Sequence, residues 1–144
     1  MTLVRGEESS IPNGVYHIVV LILVRHIDGQ YLLMKRSPKK AYPLYWEATA
    51  GGSVLQGETV LEGAFRELRE ETGINAETLE EKEHFIRDGS HTAYFVYVCV
   101  TDCDKDSIVL QEGETCGYKW AGKEEILAME DNELLAQTTR KYVI

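Results

Sequence analysis

The chain has 144 residues, which is enough for one domain that buries about two-thirds of its unfolded surface around a single core. With 15 basic and 24 acidic residues, its net charge is −9, which argues against general affinity for nucleic-acid polymers or anionic membranes. Cys99, Cys103 and Cys116 form neither a CxxC pair nor an even disulfide set, and the short charged start does not resemble a signal peptide. These features predict a cytoplasmic protein.

The first part of the chain predicts an arm followed by a hairpin. Residues 1–14 are polar and without a clear period, so we expect an arm, irregular or forming an edge strand, before a single domain over residues 15–144. Val15–Arg25 is β-branched and almost continuously apolar, as in a strand buried on both faces. Asp28-Gly29 is a turn signal, and Gln30–Arg36 returns as the second strand.

A cationic segment follows the hairpin. Lys35–Lys40 holds four cations in six residues of an otherwise acidic chain. It is either a solvated loop or a patch that faces phosphate oxygens, which lysine and arginine bind well. Tyr42–Thr49 then predicts a loop and a short strand, in which Trp46 either packs in the core or stacks on a base.

The best-defined helix is predicted over Val60–Thr72. Thr59 and Glu62 have the spacing of a capping box at its start, and Gly73 is suited to the left-handed residue that ends a helix. At 100° per residue, the side predicted to pack inward contains Leu61, Ala64, Phe65, Leu68 and Thr72.

Three acids share another side of this helix. Glu67, Glu70 and Glu71 lie at i, i+3 and i+4, where like charges oppose helix formation. They have no predicted capping or packing role. The glycines Gly51 and Gly52 precede the helix through a short loop, and Gly63, one turn before Glu67, is expected to leave the acidic face open. A solvated face is one interpretation, and a site for a hard divalent cation such as Mg²⁺ is the other.

The rest of the chain returns to strands and ends in helices. Leu79–Arg87 predicts an edge strand, and His91–Thr101 a strand that neighbours the first one. Lys123–Met129 and Asp131–Tyr142 predict two structural helices, the second capped by Asp131. Strands alternating with helices indicate an α/β fold with a mixed sheet and helices on both faces.

The stretch from Gly52 to Ile74, GSVLQGETVLEGAFRELREETGI, resembles a complete Nudix box, the signature of the Nudix hydrolases. The resemblance implies an α/β/α sandwich with a mixed central sheet. It also implies that Glu67, Glu70 and Glu71 bind Mg²⁺, or Mn²⁺ as a substitute, with the Gly51 carbonyl as a further ligand. Within the box, Gly52 and Gly73 would be structural, and Glu58 with Arg66 would form a salt bridge that holds the loop against the helix.

Residues outside the box gain candidate roles from the same resemblance. Family members often carry a loop glutamate ahead of a strand that ends in tryptophan, and Glu114 fits this spacing to Trp120 better than Glu112 does. Either Glu67 or Glu114 would then serve as general base. Arg36, at the end of its strand, is the first candidate for contact with substrate. Lys35 and Trp46 are further candidates.

The implied function is hydrolysis of the phosphoanhydride of a nucleoside diphosphate linked to another moiety, or of another small diphosphate. A homodimer is possible, as in other small members of the family. Two alternatives stay open: a catalytically silent nucleotide sensor, and an enzyme like the isopentenyl diphosphate isomerases, to which Pro43–Ala48 bears some likeness. The latter enzymes use a catalytic cysteine, and no cysteine precedes Cys99.

Overall fold

The computed structural model describes residues 17–87, 89, 91–130, 132–135 and 141–143. The elements, in chain order, are β1 (His17–His26), β2 (Tyr31–Arg36), β3 (Trp46–Glu47), β4 (Thr49–Ser53), α1 (Val60–Thr72), β5 (Glu80–Arg87), β6 (Thr92–Thr101), β7 (Thr115–Ala121), α2 (Lys123–Ala128) and β8 (Leu134–Leu135). The predicted arm over residues 1–14 lies outside the described residues.

Strand β1 lies at the centre of a mixed sheet. One of its edges pairs in parallel with β6 over its whole length, as the prediction of neighbouring strands required. Its other edge is shared: Val19–Leu23 pair with β4, and Arg25 pairs with Tyr31 of β2. Because β4 and β2 both start from the same edge of β1, they diverge and leave a cleft between them.

Two apolar clusters lie on the two faces of this sheet. Alternate residues of β1 enter different clusters: Val20 and Ile22 belong to one, and Leu23 to the other. Helix α1 packs on the first cluster through Ala64 and Leu68, and α2 packs on the second through Ile126. The α/β sandwich expected from the sequence is therefore confirmed.

Helix α1 has the predicted bounds and the predicted caps. The Thr59 hydroxyl accepts the Glu62 N–H at 3.1 Å, and the Glu62 carboxylate accepts the Thr59 N–H at 2.8 Å. Gly73 ends the helix with φ 79° and donates its N–H to the Arg69 carbonyl at 2.8 Å. The capping box and the glycine stop satisfy backbone groups that a helix end leaves open.

The buried stripe of α1 is narrower than the sequence predicts. Ala64, Leu68 and Thr72, at i, i+4 and i+8, are buried, but Phe65 is only partly buried and Leu61 is 44% exposed. Gly63 does not open the acidic face as expected. It is buried, and a Cβ there would lie 2.9 Å from Val54 Cγ2, so this glycine lets the preceding loop pack closely on the helix.

The helix predicted over Asp131–Tyr142 is wrong where the chain is described. Asn132–Leu135 forms a turn and then β8, which pairs in parallel with β3, and the Glu133 backbone carbonyl accepts the Trp46 N–H at 2.7 Å. Leu134 is fully buried. Burial and backbone pairing with a distant strand therefore override the local preference for helix. Asp131, the expected cap, and residues 136–140 lie outside the described residues.

The helices in the described part of the chain are short and amphipathic, and none has the length and apolarity needed to cross a bilayer.

Candidate active site

Two glycines bring β4 against its neighbours at the floor of the cleft. Gly51 and Gly52 lie within β4, which a short loop connects to α1. A Cβ on Gly51 would lie 2.0 Å from the Val20 carbonyl oxygen, and one on Gly52 would lie 2.6 Å from the Glu67 carboxylate. Glycine is needed here for close approach, which lets the backbone of β4 lie against an acid of α1.

Arg66 links the loop of the Nudix-like segment to the helix. Its guanidinium donates to both carboxylate oxygens of Glu58, at 2.7 and 3.1 Å, and to the Ser53 carbonyl at 2.9 Å. The third nitrogen donates to Glu67 at 3.0 Å and to Glu70 at 3.1 Å. The Glu58–Arg66 salt bridge implied by the resemblance is therefore present, and its hydrogen bonds hold the pKa of Glu58 below its usual range.

The three acids have contacts that the sequence did not reveal. Glu67 and Glu70 both pair with Arg66, and Glu71 accepts the Gly51 N–H at 2.8 Å. Burial raises the pKa of Glu71 to about 8; the Gly51 N–H opposes this shift, and the charges of Glu67, Glu47 and Glu114 add to it. Burial also raises the pKa of Glu67, although Arg66 opposes that shift.

The acids line one continuous depression. A cavity of about 140 Å³ between β4 and β2 is bounded by Gly51, Glu71 and Glu114, and an adjoining groove of about 330 Å³ adds Glu67 and Glu70. Glu114 lies just before β7 and faces Glu71 across this space. Glu112, the second candidate from the sequence, is exposed and lines neither space.

Of the candidate substrate contacts, the structure brings Arg36 to the cleft but not Lys35 or Trp46. Arg36 donates to Glu47 and to the Ala41 carbonyl, both at 2.7 Å, and its side chain lines the smaller cavity.

Trp46 packs against the second apolar cluster instead, with the Lys35 ammonium 5.6 Å and the Lys119 ammonium 4.7 Å from its ring centroid. These cation–π contacts give Lys35 and Trp46 a structural environment away from the acids.

Two residues of the cleft were not singled out from the sequence. Glu47 comes from the two-residue strand β3, and only the pairing of β3 with β2 carries it to the acids. Lys40 forms an ion pair with Glu114 and lines both the cavity and the groove. The cationic composition of Lys35–Lys40 indicated that this segment could face the site, but it did not indicate that Lys40 would be the lysine that does so.

The donor set fits a hard divalent cation. The charged groups that could act as ligands around Gly51 and Gly52 are carboxylates, which Mg²⁺ prefers. A bound cation would also favour the ionised form of Glu71, whose burial among like charges otherwise favours protonation. Within the described residues, no three acidic, histidine or cysteine side chains already stand close enough together to enclose a metal ion. Arg66 holds two of the acids.

Comparison with known proteins identifies the family. The profile of the NUDIX domain matches residues 15–142. The chain is 31% identical over 132 residues to the uncharacterized Nudix hydrolase lmo0368 of Listeria monocytogenes, with 89% of this chain and 75% of the relative covered.

Solved structures agree with this match. DR0079 from Deinococcus radiodurans is similar with a TM-score of 0.68 and 25% identity, covering 92% of this chain and 87% of that one. The MutT protein from Methanosarcina mazei Go1 is similar with a TM-score of 0.68 and 29% identity, covering 89% and 90%. The Gly52–Ile74 segment, the fold and these matches agree, and the chain belongs to the Nudix hydrolase family.

Proposed function

We propose that this chain is a Mg²⁺-dependent pyrophosphohydrolase that cleaves the phosphoanhydride bond of a nucleoside diphosphate linked to another moiety. The observation that carries the proposal is the convergence of carboxylates from α1 and from the loop before β7 on the glycine floor of β4. Membership of a hydrolase family supports the reaction type. Mn²⁺ is expected to substitute for Mg²⁺.

The residues of the cleft have different proposed roles, according to where each lies. Glu67, Glu70 and Glu71, with the Gly51 carbonyl, would hold the metal, which supplies charge neutralisation of the diphosphate and a lower pKa for an attacking water. Glu114 lines the same cavity as Glu71 and would reach the same metal. Either Glu67 or Glu114 would accept the proton of that water. Arg36 would contact diphosphate oxygens at the end of β2, where its side chain lines the cavity.

A second cavity is suited to the organic part of the substrate. It measures about 330 Å³ and shares Leu21 with the smaller cleft cavity. Phe85 and Tyr142 contribute rings to its lining, and Arg87 and Lys141 contribute cations. We propose that the moiety attached to the diphosphate lies here, because small-molecule sites are mainly apolar with a few polar groups.

The isomerase alternative lacks support in the structure. Cys99, the first cysteine of the chain, lies buried in β6, and burial raises the pKa of its thiol to about 11. A protonated, buried thiol is a poor catalytic group.

The three cysteines are free, which supports the proposed cytoplasmic location.

The test is a release assay for phosphate and nucleotide over several diphosphate classes, with and without Mg²⁺. The panel includes ADP-ribose, nucleotide sugars, dinucleoside polyphosphates, oxidised nucleoside triphosphates and non-nucleotide diphosphates. Glu71→Gln serves as the blank, since the amide can still accept the Gly51 N–H. We expect Mg²⁺-dependent turnover of at least one class and a fall in kcat of roughly 10²- to 10⁴-fold in the variant. Full activity of folded Glu71→Gln would refute the metal-site assignment.

Tight nucleotide binding without turnover of any class would instead identify a catalytically silent sensor. Light scattering of the same sample would test the expected homodimer.

A further inference from the structure

Lys40 stands at the boundary between the two halves of the cleft. Its ammonium is ion-paired with the Glu114 carboxylate. Lys40 and Glu114 line the small cavity with Glu71, and they also line the groove that contains Glu67 and Glu70. The side chains of Lys40 and Glu114 are 35% and 40% exposed, so the pair lies where the cleft opens to solvent.

A buried serine fixes this lysine beside Glu114. The backbone N–H of Ser37 donates to the Glu114 carbonyl at 3.1 Å, and the Lys40 N–H donates to the Ser37 carbonyl at 3.1 Å. Ser37 itself is only 6% exposed. The turn between Ser37 and Lys40 is thus attached to the segment that carries Glu114. This attachment fixes the backbone of Lys40 beside the cleft, while its flexible four-carbon side chain can still move the ammonium between partners.

The cations of the cleft differ in how firmly they are held. The Arg66 guanidinium has four acceptor residues, and that of Arg36 is shared between Glu47 and a backbone carbonyl. Within the described chain, the Lys40 ammonium has Glu114 as its single ion-pair partner. A half-exposed single pair contributes little stability, so exchanging its partner costs little. Lys40 is therefore the cation of the cleft that is most readily released.

The position of Glu114 makes such an exchange useful. Glu114 is one of the oxygen donors that face the proposed metal position, and a positive ammonium on it competes with a divalent cation for the same carboxylate. A diphosphate that enters the cleft brings negative oxygens within reach of the same lysine.

We propose that Lys40 exchanges partners during binding: it neutralises Glu114 in the empty cleft, and it binds a non-bridging diphosphate oxygen once a divalent cation has taken its place on Glu114. This inference rests on the proposed function. It assigns Lys40 two opposite effects, since the lysine weakens the binding of the cation alone and strengthens the binding of the diphosphate.

Isothermal titration calorimetry on the full chain tests both effects. Mn²⁺ is titrated alone, and imidodiphosphate is then titrated in the presence of saturating Mn²⁺. For Lys40→Gln we expect Mn²⁺ to bind about 3- to 10-fold more tightly and imidodiphosphate about 10-fold more weakly, as for loss of one charge-assisted contact. Lys39→Gln is the matched control, because Lys39 is exposed and its side chain lines neither space, and both of its affinities should equal those of the parent chain.

The two halves of the experiment can each overturn the proposal. Mn²⁺ affinity that is unchanged or weaker in Lys40→Gln would exclude the competition, and unchanged imidodiphosphate affinity would exclude the phosphate contact. A parent chain that binds no Mn²⁺ would instead refute the proposed function itself. Melting temperatures of the variants identify any loss of fold, which is not expected at a half-exposed position.

Discussion

The two sides of the cleft are built in opposite ways. On the α1 side, Arg66 ties Glu58, Glu67 and Glu70 together, and the side chains of Arg66 and Glu67 are only 15% and 13% exposed. On the opposite side, Lys40 and Glu114 form one ion pair at the opening of the cleft. Glu58, Glu67 and Glu70 are therefore held by a shared network, whereas Glu114 is held by a single contact that can be replaced.

This difference separates two kinds of charged contact within one site. Hydrogen bonds to a charged group that is mostly buried are strong, and the loss of one partner leaves other groups unsatisfied. A half-exposed pair is screened by water and adds little to stability. We therefore expect substitutions on the α1 side to change both stability and activity, and substitution of Lys40 to change ligand binding with little effect on stability.

The largest effect is expected from substitution of Arg66, which donates to Glu58, Glu67 and Glu70. Arg66→Met would remove the guanidinium donors from Glu58 and from the Ser53 carbonyl, and we expect the free energy of unfolding to fall by about 2–3 kcal/mol. Urea denaturation measures the change. Arg69→Met, an exposed substitution on the same helix, should stay within about 0.5 kcal/mol of the parent chain. If both variants lose the same stability, the hydrogen bonds of Arg66 do not make the α1 side more stable than an ordinary exposed helix position.

The glycine floor allows a second test of the α1 side. In Gly52→Ala the new methyl would lie 2.6 Å from the Glu67 carboxylate, so the acid must move. We expect a loss of about 1–3 kcal/mol in stability, as for other overpacked sites, together with weaker Mn²⁺ binding. Denaturation and calorimetry measure the two effects. Gly89→Ala is the control, since a Cβ there meets nothing within 4 Å. Unchanged Mn²⁺ affinity in folded Gly52→Ala would show that the position of Glu67 does not affect the metal.

The cavity beside the cleft is expected to influence substrate affinity and not the chemical step. Phe85→Leu would remove ring surface from this cavity, and we expect KM for the preferred substrate to rise by about 5- to 10-fold with kcat unchanged. Steady-state kinetics measures both constants. Ile86→Ala, at the exposed neighbouring position of β5, should leave KM as it is. A fall in kcat without a change in KM would contradict the assignment of this cavity.

The smallest effect is expected at the N-terminal cap of α1, where a substitution should change stability without changing catalysis. Thr59→Ala removes one half of the capping box, and we expect it to lower the free energy of unfolding by about 1 kcal/mol. Because Thr59 lies at the start of α1, several residues before Glu67, kcat should not change. Thermal unfolding and a steady-state assay on the same sample check both statements. A large loss of kcat would mean that the start of the helix is coupled to the acids.

Local patterns predicted some parts of the fold well. The bounds of α1 follow from Thr59, Glu62 and Gly73, whose capping chemistry acts between residues that are neighbours in sequence. The apolar run Val15–Arg25 predicted a buried strand, and β1 covers most of it, for the same kind of reason. The helix expected near the end of the chain failed at Leu134, because its burial and its pairing with β3 depend on contacts that no local pattern contains.

The candidate site likewise has one part that the sequence predicted and another that depends on tertiary contacts. By itself, the sequence determined that Glu67, Glu70 and Glu71 share one face of a capped helix, since helical spacing places them there. Only the tertiary structure decided what those acids meet. Gly51 and Gly52 lie in a strand against them, and Arg66 joins two of them. Lys40 and Glu114 approach from segments 74 residues apart. Spacing fixes side-chain direction within one element, but contact between elements depends on how the sheet is paired and packed.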